Sequence, residues 1–376
     1  MEYLGVDVGF GYTKAFDGER SVVFKSITGD ATDIQFQSGF SEGGELENLH
    51  VEVNGKQYYV GDMAEKQSSV REFTLEQNTL LENSAKILAL TALSMFSSNT
   101  NREFSLVTGL PIRYFKQYRA RYQEMLEGSH NIRFFTPGGT EERTIEIRKV
   151  RVLPQPFGSV FNLMMNNHGR IVDKEVARQK FGVIDIGFRT TDYTITDRLR
   201  YIERGSRTTD TGISKAFSLI SRKIQEQSGV NVELYRLFDP VKNGSIRIRG
   251  KELGLAELRD EVMRQLATAI ISDMERLWVE DWDLEFILLS GGGSADLAPI
   301  LENMIEGTTK VVDTETDMRL TNVIGYLKYA KYIDLMEKRR QMPGGEDLST
   351  SDSSGDSTEE NDSPSTEAAE TEAAGS

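Results

Sequence analysis

The sequence predicts an α/β protein of two similar domains, each a mixed sheet flanked by helices, facing one another across a cleft and followed by a disordered acidic tail. Three observations predict it. Gly5-Val6-Asp7-Val8-Gly9-Phe10 returns 178 positions later as Val183-Ile184-Asp185-Ile186-Gly187-Phe188. An apolar run near residue 289 stops at Ser290-Gly291-Gly292-Gly293-Ser294 and opens a helix pattern. Beyond Met342 large apolar residues almost vanish.

Each copy of the repeat is a short apolar strand ending in an acid, a glycine turn and a second strand pattern, Thr13-Lys14-Ala15-Phe16 or Asp192-Tyr193-Thr194-Ile195. Strand, turn and strand make a hairpin. Gly9-Phe10-Gly11 is therefore not a dinucleotide fingerprint, which needs a third glycine and a helix directly after the turn. The first half continues with strands at 21–24, 51–53 and 57–60 around a polar, glycine-rich excursion from Thr28 to Asn48. A helix follows from near Ser84, its expected N-cap, to Phe96. A strand at 103–108 ends at Gly109-Leu110-Pro111, and an amphipathic helix occupies 114–126. A strand at 150–153 leads to a helix at 157–165. In the second half the hairpin precedes a strand at 200–203, a helix at 211–227, a long helix at 255–279, a strand at 284–289 and a helix at 296–305. A last helix covers about 323–340. This order divides the chain into domain I, residues 1–170 completed by 322–342, domain II, residues 171–321, and a tail, 343–376.

Composition narrows the function classes. The formal charge is −15, but ten acids and no Lys or Arg lie between 341 and 376, which leaves about −5 on the rest, an ordinary surface charge. No broad basic face for phosphate backbones is indicated, so direct nucleic-acid binding is not expected. The chain has no cysteine, which excludes disulfides and thiol chemistry, and its three histidines are too scattered for a zinc site. Its longest nearly unbroken apolar stretch, 87–96, is too short to span a bilayer. A cytoplasmic location is the expectation. The tail cannot bury enough apolar surface to offset its ordering entropy and reads as a solubilising or partner-binding segment.

A triphosphate needs backbone N–H donors at close range, and glycine lets the main chain approach at φ > 0. Gly9, Gly11 and Gly187 are expected to supply such turns. Asp7 and Asp185 stand at the mouths of the turns. Two carboxylates converging on a phosphate repel it unless a cation lies between, and Mg²⁺ takes one or two carboxylates with phosphate oxygens and water. Either aspartate alone would read as a turn-forming residue. Lys14 offers a point charge to phosphate oxygens, and Thr13, Thr190 and Thr191 offer hydroxyls. Gly291, Gly292 and Gly293 allow close passage of a base or sugar. Hydrolysis also needs a residue that orients water toward the γ-phosphorus. Gln155, in Leu153-Pro154-Gln155-Pro156-Phe157 at the junction of the halves, is the candidate.

Together these residues resemble the superfamily of actin, the heat-shock chaperone ATPases and the sugar kinases, and within it the ParM-like plasmid-partition and archaeal or bacterial actin-like proteins. The resemblance covers about residues 1–340 and implies an actin-like, ribonuclease H-like duplicated fold. In its terms Asp7 through Lys14, Tyr12 included, is the first phosphate loop, and Asp185 through Asp192, Arg189 included, is the second. Ser290 through Gly293 is the adenosine motif, Gln155 sits where a water-positioning Glu or Gln is expected, and Asn322-Val323-Ile324-Gly325-Tyr326 opens the second connecting helix and adds Asn322 to the nucleotide site. Tyr59-Val60-Gly61-Asp62-Met63-Ala64 and Val107-Thr108-Gly109-Leu110-Pro111 are similar to the ParM-like branch specifically. Phe188 and Arg189 depart from that branch, which has a second glycine and a threonine there. Ribose contacts are not aligned; Asp210, Lys215 and Lys251 are candidates.

The resemblance implies a filament-forming NTPase that binds Mg²⁺-ATP or Mg²⁺-GTP, self-assembles and reaches cargo such as a plasmid through an adaptor protein. A small-molecule kinase or phosphatase of the same fold, or a weakly hydrolytic nucleotide-dependent scaffold, is the alternative. A heat-shock chaperone would need a large peptide-binding domain where the tail stands.

Overall fold

The computed structural model describes residues 2–31, 44–97, 102–136, 138–312 and 317–341. The tail and most of the excursion between Thr28 and Asn48 lie outside them. Residues up to Leu335 form one compact body, and Met336–Gln341 finish the last helix.

The first lobe is built on a ten-stranded sheet. Its strands are β1 (Glu2–Val8), β2 (Tyr12–Phe16), β3 (Ser21–Lys25), β4 (Thr28–Asp30), β5 (His50–Val53), β6 (Lys56–Val60), β7 (Arg71–Glu72), β8 (Arg102–Leu110), β9 (Gly128–Thr136) and β10 (Gly139–Pro154). Its helices are α1 (Asp62–Gln67), α2 (Gln77–Thr79), α3 (Ala85–Ser94), α4 (Ile112–Leu126) and α5 (Pro156–Met164). The second lobe carries β11 (Lys180–Ile186), β12 (Thr191–Asp197), β13 (Arg200–Thr209), α6 (Ile213–Ser228), α7 (Phe238–Asn243), β14 (Ser245–Ile248), β15 (Lys251–Gly254), α8 (Ala256–Leu277), β16 (Ile287–Ser290), α9 (Ser294–Glu302) and β17 (Thr309–Val311). The final helix is α10 (Thr321–Gln341).

The duplication is visible in the strand order. Lobe I contains β3-β2-β1-β8-β10 and lobe II is β13-β12-β11-β16-β17. In both, an antiparallel hairpin meander is followed by two parallel additions. The hairpin registers correspond as well, with Asp7 opposite Lys14 and Asp185 opposite Asp192. Central strands are apolar on both faces because helices cover both, as in β1 (Leu4, Val6) and β11 (Phe181, Val183, Ile184, Ile186).

Several boundaries differ from the sequence expectation. Ser84 does not cap α3: its hydroxyl donates to Glu72 Oε2, and the helix is entered through a wide i→i+5 turn, Leu80–Ser84. The β9–β10 hairpin was not expected beyond 150–153. Its buried Ile132, Phe134, Ile145 and Ile147 alternate with charged residues that keep its outer face wet. Likewise α7 and the small sheet β14–β15 have no counterpart in the sequence reading.

Two helices tie the lobes together, α5 after β10 and α10 at the end of the compact body. They cross at glycines: a Cβ on Gly325 would lie 1.7 Å from the Gly158 carbonyl oxygen, so the backbones touch directly. Lobe I also reaches lobe II above the cleft. Tyr235, in a single 3₁₀ turn (Leu234–Leu237), is buried among Ile27, Tyr59, Met63 and Ala64 of lobe I. It meets Phe73 edge-on at 5.4 Å between ring centroids.

Candidate nucleotide site

Both glycine turns close in the same way. Gly9 N–H donates to the Tyr12 carbonyl at 3.1 Å and Gly187 N–H to the Thr190 carbonyl at 2.8 Å. The expected positive φ is not found at Gly9, Gly11 or Gly187. Glycine is required there by space instead. A Cβ on Gly9 would sit 3.0 Å from Lys14 Nζ, and one on Gly11 would strike the Phe188 side chain at 2.9 Å. Among the glycines predicted for the site, Gly291 is the one in a left-handed conformation, at φ +83.

The turns face a cavity of about 610 Å³ between the lobes. Asp7, Gly9, Gly11, Tyr12, Lys14, Gln155, Gly187, Arg189, Thr190, Gly292 and Gly293 line it. Asp7 is buried at the end of β1, where Lys14 Nζ donates to its Oδ2 at 2.7 Å and Gln155 Nε2 to its Oδ1 at 3.2 Å. Gln155 is fixed by the chain geometry: its N–H donates to the Leu110 carbonyl and Pro156 begins α5 directly after it. Thr190 makes no hydrogen bond through its hydroxyl that would turn it from the cavity.

Five predicted residues do not line the cavity. Thr13 is fully buried, its hydroxyl paired with that of Ser26, and Thr191 donates its hydroxyl to the Thr211 carbonyl. Gly291 lies behind the other two glycines, where a Cβ would be 2.2 Å from Asp185 Oδ1. Asp185 and Asn322 are buried just beneath the wall. Ser159 Oγ donates to Asn322 Oδ1, and Asn322 Nδ2 donates to Asp185 Oδ2 at 2.8 Å, which joins α5, α10 and β11 in one chain of bonds. Burial, reinforced by the charge of Asp7, pushes the Asp185 carboxyl up to about 6 against the Asn322 donation and the pull of Lys14.

Arg189 touches the cavity but spends its guanidinium elsewhere, on the Leu75 carbonyl of lobe I at 3.1 Å and on Asp210 of its own lobe at 3.0 Å. Phe188 packs on Phe73 of lobe I and on Phe217 and Phe238 of lobe II. A second bridge runs from the start of α4. Ile112 N–H donates to Asp192 Oδ1 at 3.0 Å, Arg113 N–H donates to Thr208 Oγ1, and the Arg113 guanidinium pairs with Asp210. Burial, with Asp185 nearby, raises the Asp192 carboxyl to about 7, opposed by donation from Thr208 and Ile112. The ribose candidates Asp210, Lys215 and Lys251 lie outside the cavity.

The wall away from the turns was not foreseen. It includes Phe238, Asp239, Val241 and Lys242 of α7, Asp296 of α9, and Asp317, Met318 and Arg319 before α10. Arg319 is held by both oxygens of Asp317 and lies over the Tyr12 ring at 4.5 Å, and Tyr12 in turn packs on Phe238 at 4.7 Å. That face is flat, apolar and cationic, suited to an aromatic base. No local sequence signal marks it, because its members come from four separate elements.

The donor set also fits Mg²⁺. One carboxylate comes from each lobe, Asp7 at the cavity and Asp185 just beneath its wall, and Lys14 pairs with Asp7, residue types that suit a hard cation and a phosphate. Among the described residues no group of three or more His, Cys, Asp or Glu is placed to hold a metal ion, and no helix is long and apolar enough to cross a membrane.

Comparison with known proteins identifies the fold and the family. Residues 5–158 match the family model of the actin like proteins N-terminal domain, and residues 183–303 match that of the archaeal actin homologue MreB-like C-terminal domain. No curated protein sequence matches the chain. A fifteen-stranded ParM filament from Clostridium botulinum is similar in structure, with 23% identity and TM-score 0.75 over 88% of this chain and 99% of that one. An archaeal actin homolog in complex with ADP has 22% identity and TM-score 0.72, covering 88% of this chain and 99% of its own. ParM of Bacillus thuringiensis with AMPPNP has 17% identity and TM-score 0.68, with coverage of 90% and 99%. At these identities the likeness is one of fold. Both halves of the chain are matched by models of actin homologues, in the order and positions of the two lobes, and the chain belongs to the actin-like proteins.

Proposed function

We propose that this protein is a filament-forming ATPase: it binds Mg²⁺-ATP between the lobes, assembles in the nucleotide-bound form and hydrolyses the nucleotide. The observation that carries the reading is the convergence of both glycine turns, Lys14, Gln155 and Asp7 on one interlobe cavity, with Asp185 buried just beneath its wall. Structural relatives are described as a ParM filament and as complexes with ADP and AMPPNP.

Each residue then has a task. The turn amides, Lys14 and the Thr190 hydroxyl bind phosphate oxygens. Asp7 and Asp185 would hold Mg²⁺, which when bound neutralises charge on the phosphates. Gln155 gives its N–H to Asp7 and keeps Oε1 as an acceptor that orients a water hydrogen. It is too weak a base to take a proton, so its contribution is positioning. Arg319, Tyr12 and Phe238 exclude water from the base end. If DNA is the cargo, the acidic surface assigns the contact to an adaptor.

Pelleting and light scattering with ATP, GTP, ADP or no nucleotide test the assembly. Sedimentable polymer with a triphosphate, disassembling as it is consumed, is expected; no polymer in any nucleotide would sink the filament reading. Gln155→Ala should lower turnover about 10²-fold while changing nucleotide affinity by less than about threefold. Unchanged turnover would remove Gln155 from the mechanism.

A further inference from the structure

The most exposed large apolar side chains among the described residues stand side by side. Trp282 is 89% exposed and Val279 is 75% exposed, both in the loop between α8 and β16. The loop is firmly held. Buried Trp278 donates Nε1–H to the Gly205 carbonyl, and buried Asp281 takes two hydrogen bonds of 2.7 Å from Arg204 and an ion pair of 3.0 Å from Lys180. Glu285 N–H donates to the Lys180 carbonyl at 2.9 Å. An indole fixed outward on so rigid a base is preorganised for an interface, since no loop ordering is left to oppose binding. Four acids, Glu280, Asp281, Asp283 and Glu285, lie between Val279 and Phe286; Lys180 and Arg204 pair with Asp281, and Lys180 also with Asp283, which leaves Glu280 and Glu285 as the acids beside the indole without an ion pair among the described residues.

The loop marks one end of lobe II. Strand β11 runs from Lys180, beside the loop, to Ile186, at the cleft. Beyond the cleft the same lobe carries the β14–β15 hairpin, continuous with the cavity-lining α7. Ile246, Ile248 and Leu253 fasten the hairpin to the lobe core. Arg247, Arg249 and Lys251 are left exposed, with no ion pair to any described residue. Arg249 and Gly250, both at positive φ, form a tight turn at the tip.

We propose that these two ends meet between successive copies of the chain, the Trp282 loop of one copy seating against the β14–β15 hairpin of the next. The contact joins different patches, so it is heterologous and repeats without closing on itself. Tryptophan supplies the apolar centre. The acidic rim and the three unpaired cations supply complementary charge that fixes orientation. The inference rests on the filament reading above and names the surface that reading leaves open.

The test uses the full chain with Mg²⁺ and ATP, reading the critical concentration by light scattering and pelleting. Trp282→Ala and Arg249→Glu should each raise it on the order of tenfold, the scale of losing an interface anchor. Both positions are exposed, and unchanged binding of a fluorescent ATP analogue will confirm that each variant is folded. The charge swap Glu280→Lys with Arg249→Glu should recover part of the loss. Because the chain has no cysteine, mixing Glu280→Cys and Arg249→Cys proteins gives a clean second readout. Disulfide-linked dimers should form in the mixture with ATP and not in either protein alone. Wild-type assembly with both single variants at the wild-type critical concentration would overturn the contact alone, as would crosslinks within one cysteine variant only. Failure of the wild-type chain to assemble in any nucleotide would overturn the filament reading and this contact with it.

Discussion

Gln155 is held on several sides at once, and Gly109 makes room for the arrangement. The Tyr326 hydroxyl, buried under the site, donates to the Gln155 carbonyl at 3.2 Å, and a Cβ on Gly109 would lie 1.8 Å from that hydroxyl oxygen. Gly109→Ala should therefore push Tyr326 aside, costing about 3 kcal/mol in urea denaturation and lowering turnover with it. Combining it with Tyr326→Phe should return part of the stability; no recovery would place the clash elsewhere. Asp7, Gly9, Lys14 and Gln155 were legible in sequence because strand, turn and helix junction fix their positions within a few residues. The orientation of Thr13 and Thr191 was not. Strand alternation turns each of them inward, and only the neighbours Ser26 and Thr211 show where the hydroxyls go.

Among the elements, α5 and α10 share a half-buried cation. Lys328 donates Nζ to the Asn162 carbonyl at 2.9 Å and to its Oδ1 at 2.7 Å, with no carboxylate ion pair. Burial lowers its pKa to about 8, against about 10.4 in an unfolded chain. Between those values the unfolded state binds more protons, so this group makes stability rise with pH across the window and penalises folding below it. Lys328→Met loses the hydrogen bonds at every pH but also loses that penalty. The difference, wild type minus variant, should grow in favour of wild type from pH 8 to 10.5; a difference flat across that range would show that Lys328 keeps its ordinary pKa. The helix α4 was legible from its periodic apolar spacing, and α5, α8 and α10 were expected within a few residues of where they lie. The elements α7, β14 and β15 were not, since each is only four to six residues long and too short to show a period.

For the molecule as a whole, lobe closure rests on a few bridges. Tyr235 seals the tips over the cavity, and Arg113, Asp210 and Arg189 link the lobes by charge. Tyr235→Ala should accelerate release of a fluorescent ATP analogue on the order of tenfold in a stopped-flow chase, through loss of a buried aromatic clasp. An unchanged release rate would mean that another step limits exit. The duplicated architecture was legible because the repeat preserves both the motif and the strand pattern after it. The bridges were not legible. Phe188 and Arg189 stood out only as departures from the ParM-like pattern, and the structure shows both occupied with the opposite lobe.

The bare contact between Gly158 and Gly325 has a mechanical consequence. Where side chains interlock, two helices resist turning and sliding alike. Here no side chain acts as a stop at the point of contact, while Asn322 and Tyr326 crowd Gly158 from either side along α10. Around that contact the helices are pinned to one another, by Ser159 to Asn322, by Lys328 to Asn162 and by the stacked rings of Phe161 and Tyr329 at 4.3 Å. A side chain at either glycine would wedge the two helices apart, so the spacing of the lobes they join is set by the absence of two β-carbons.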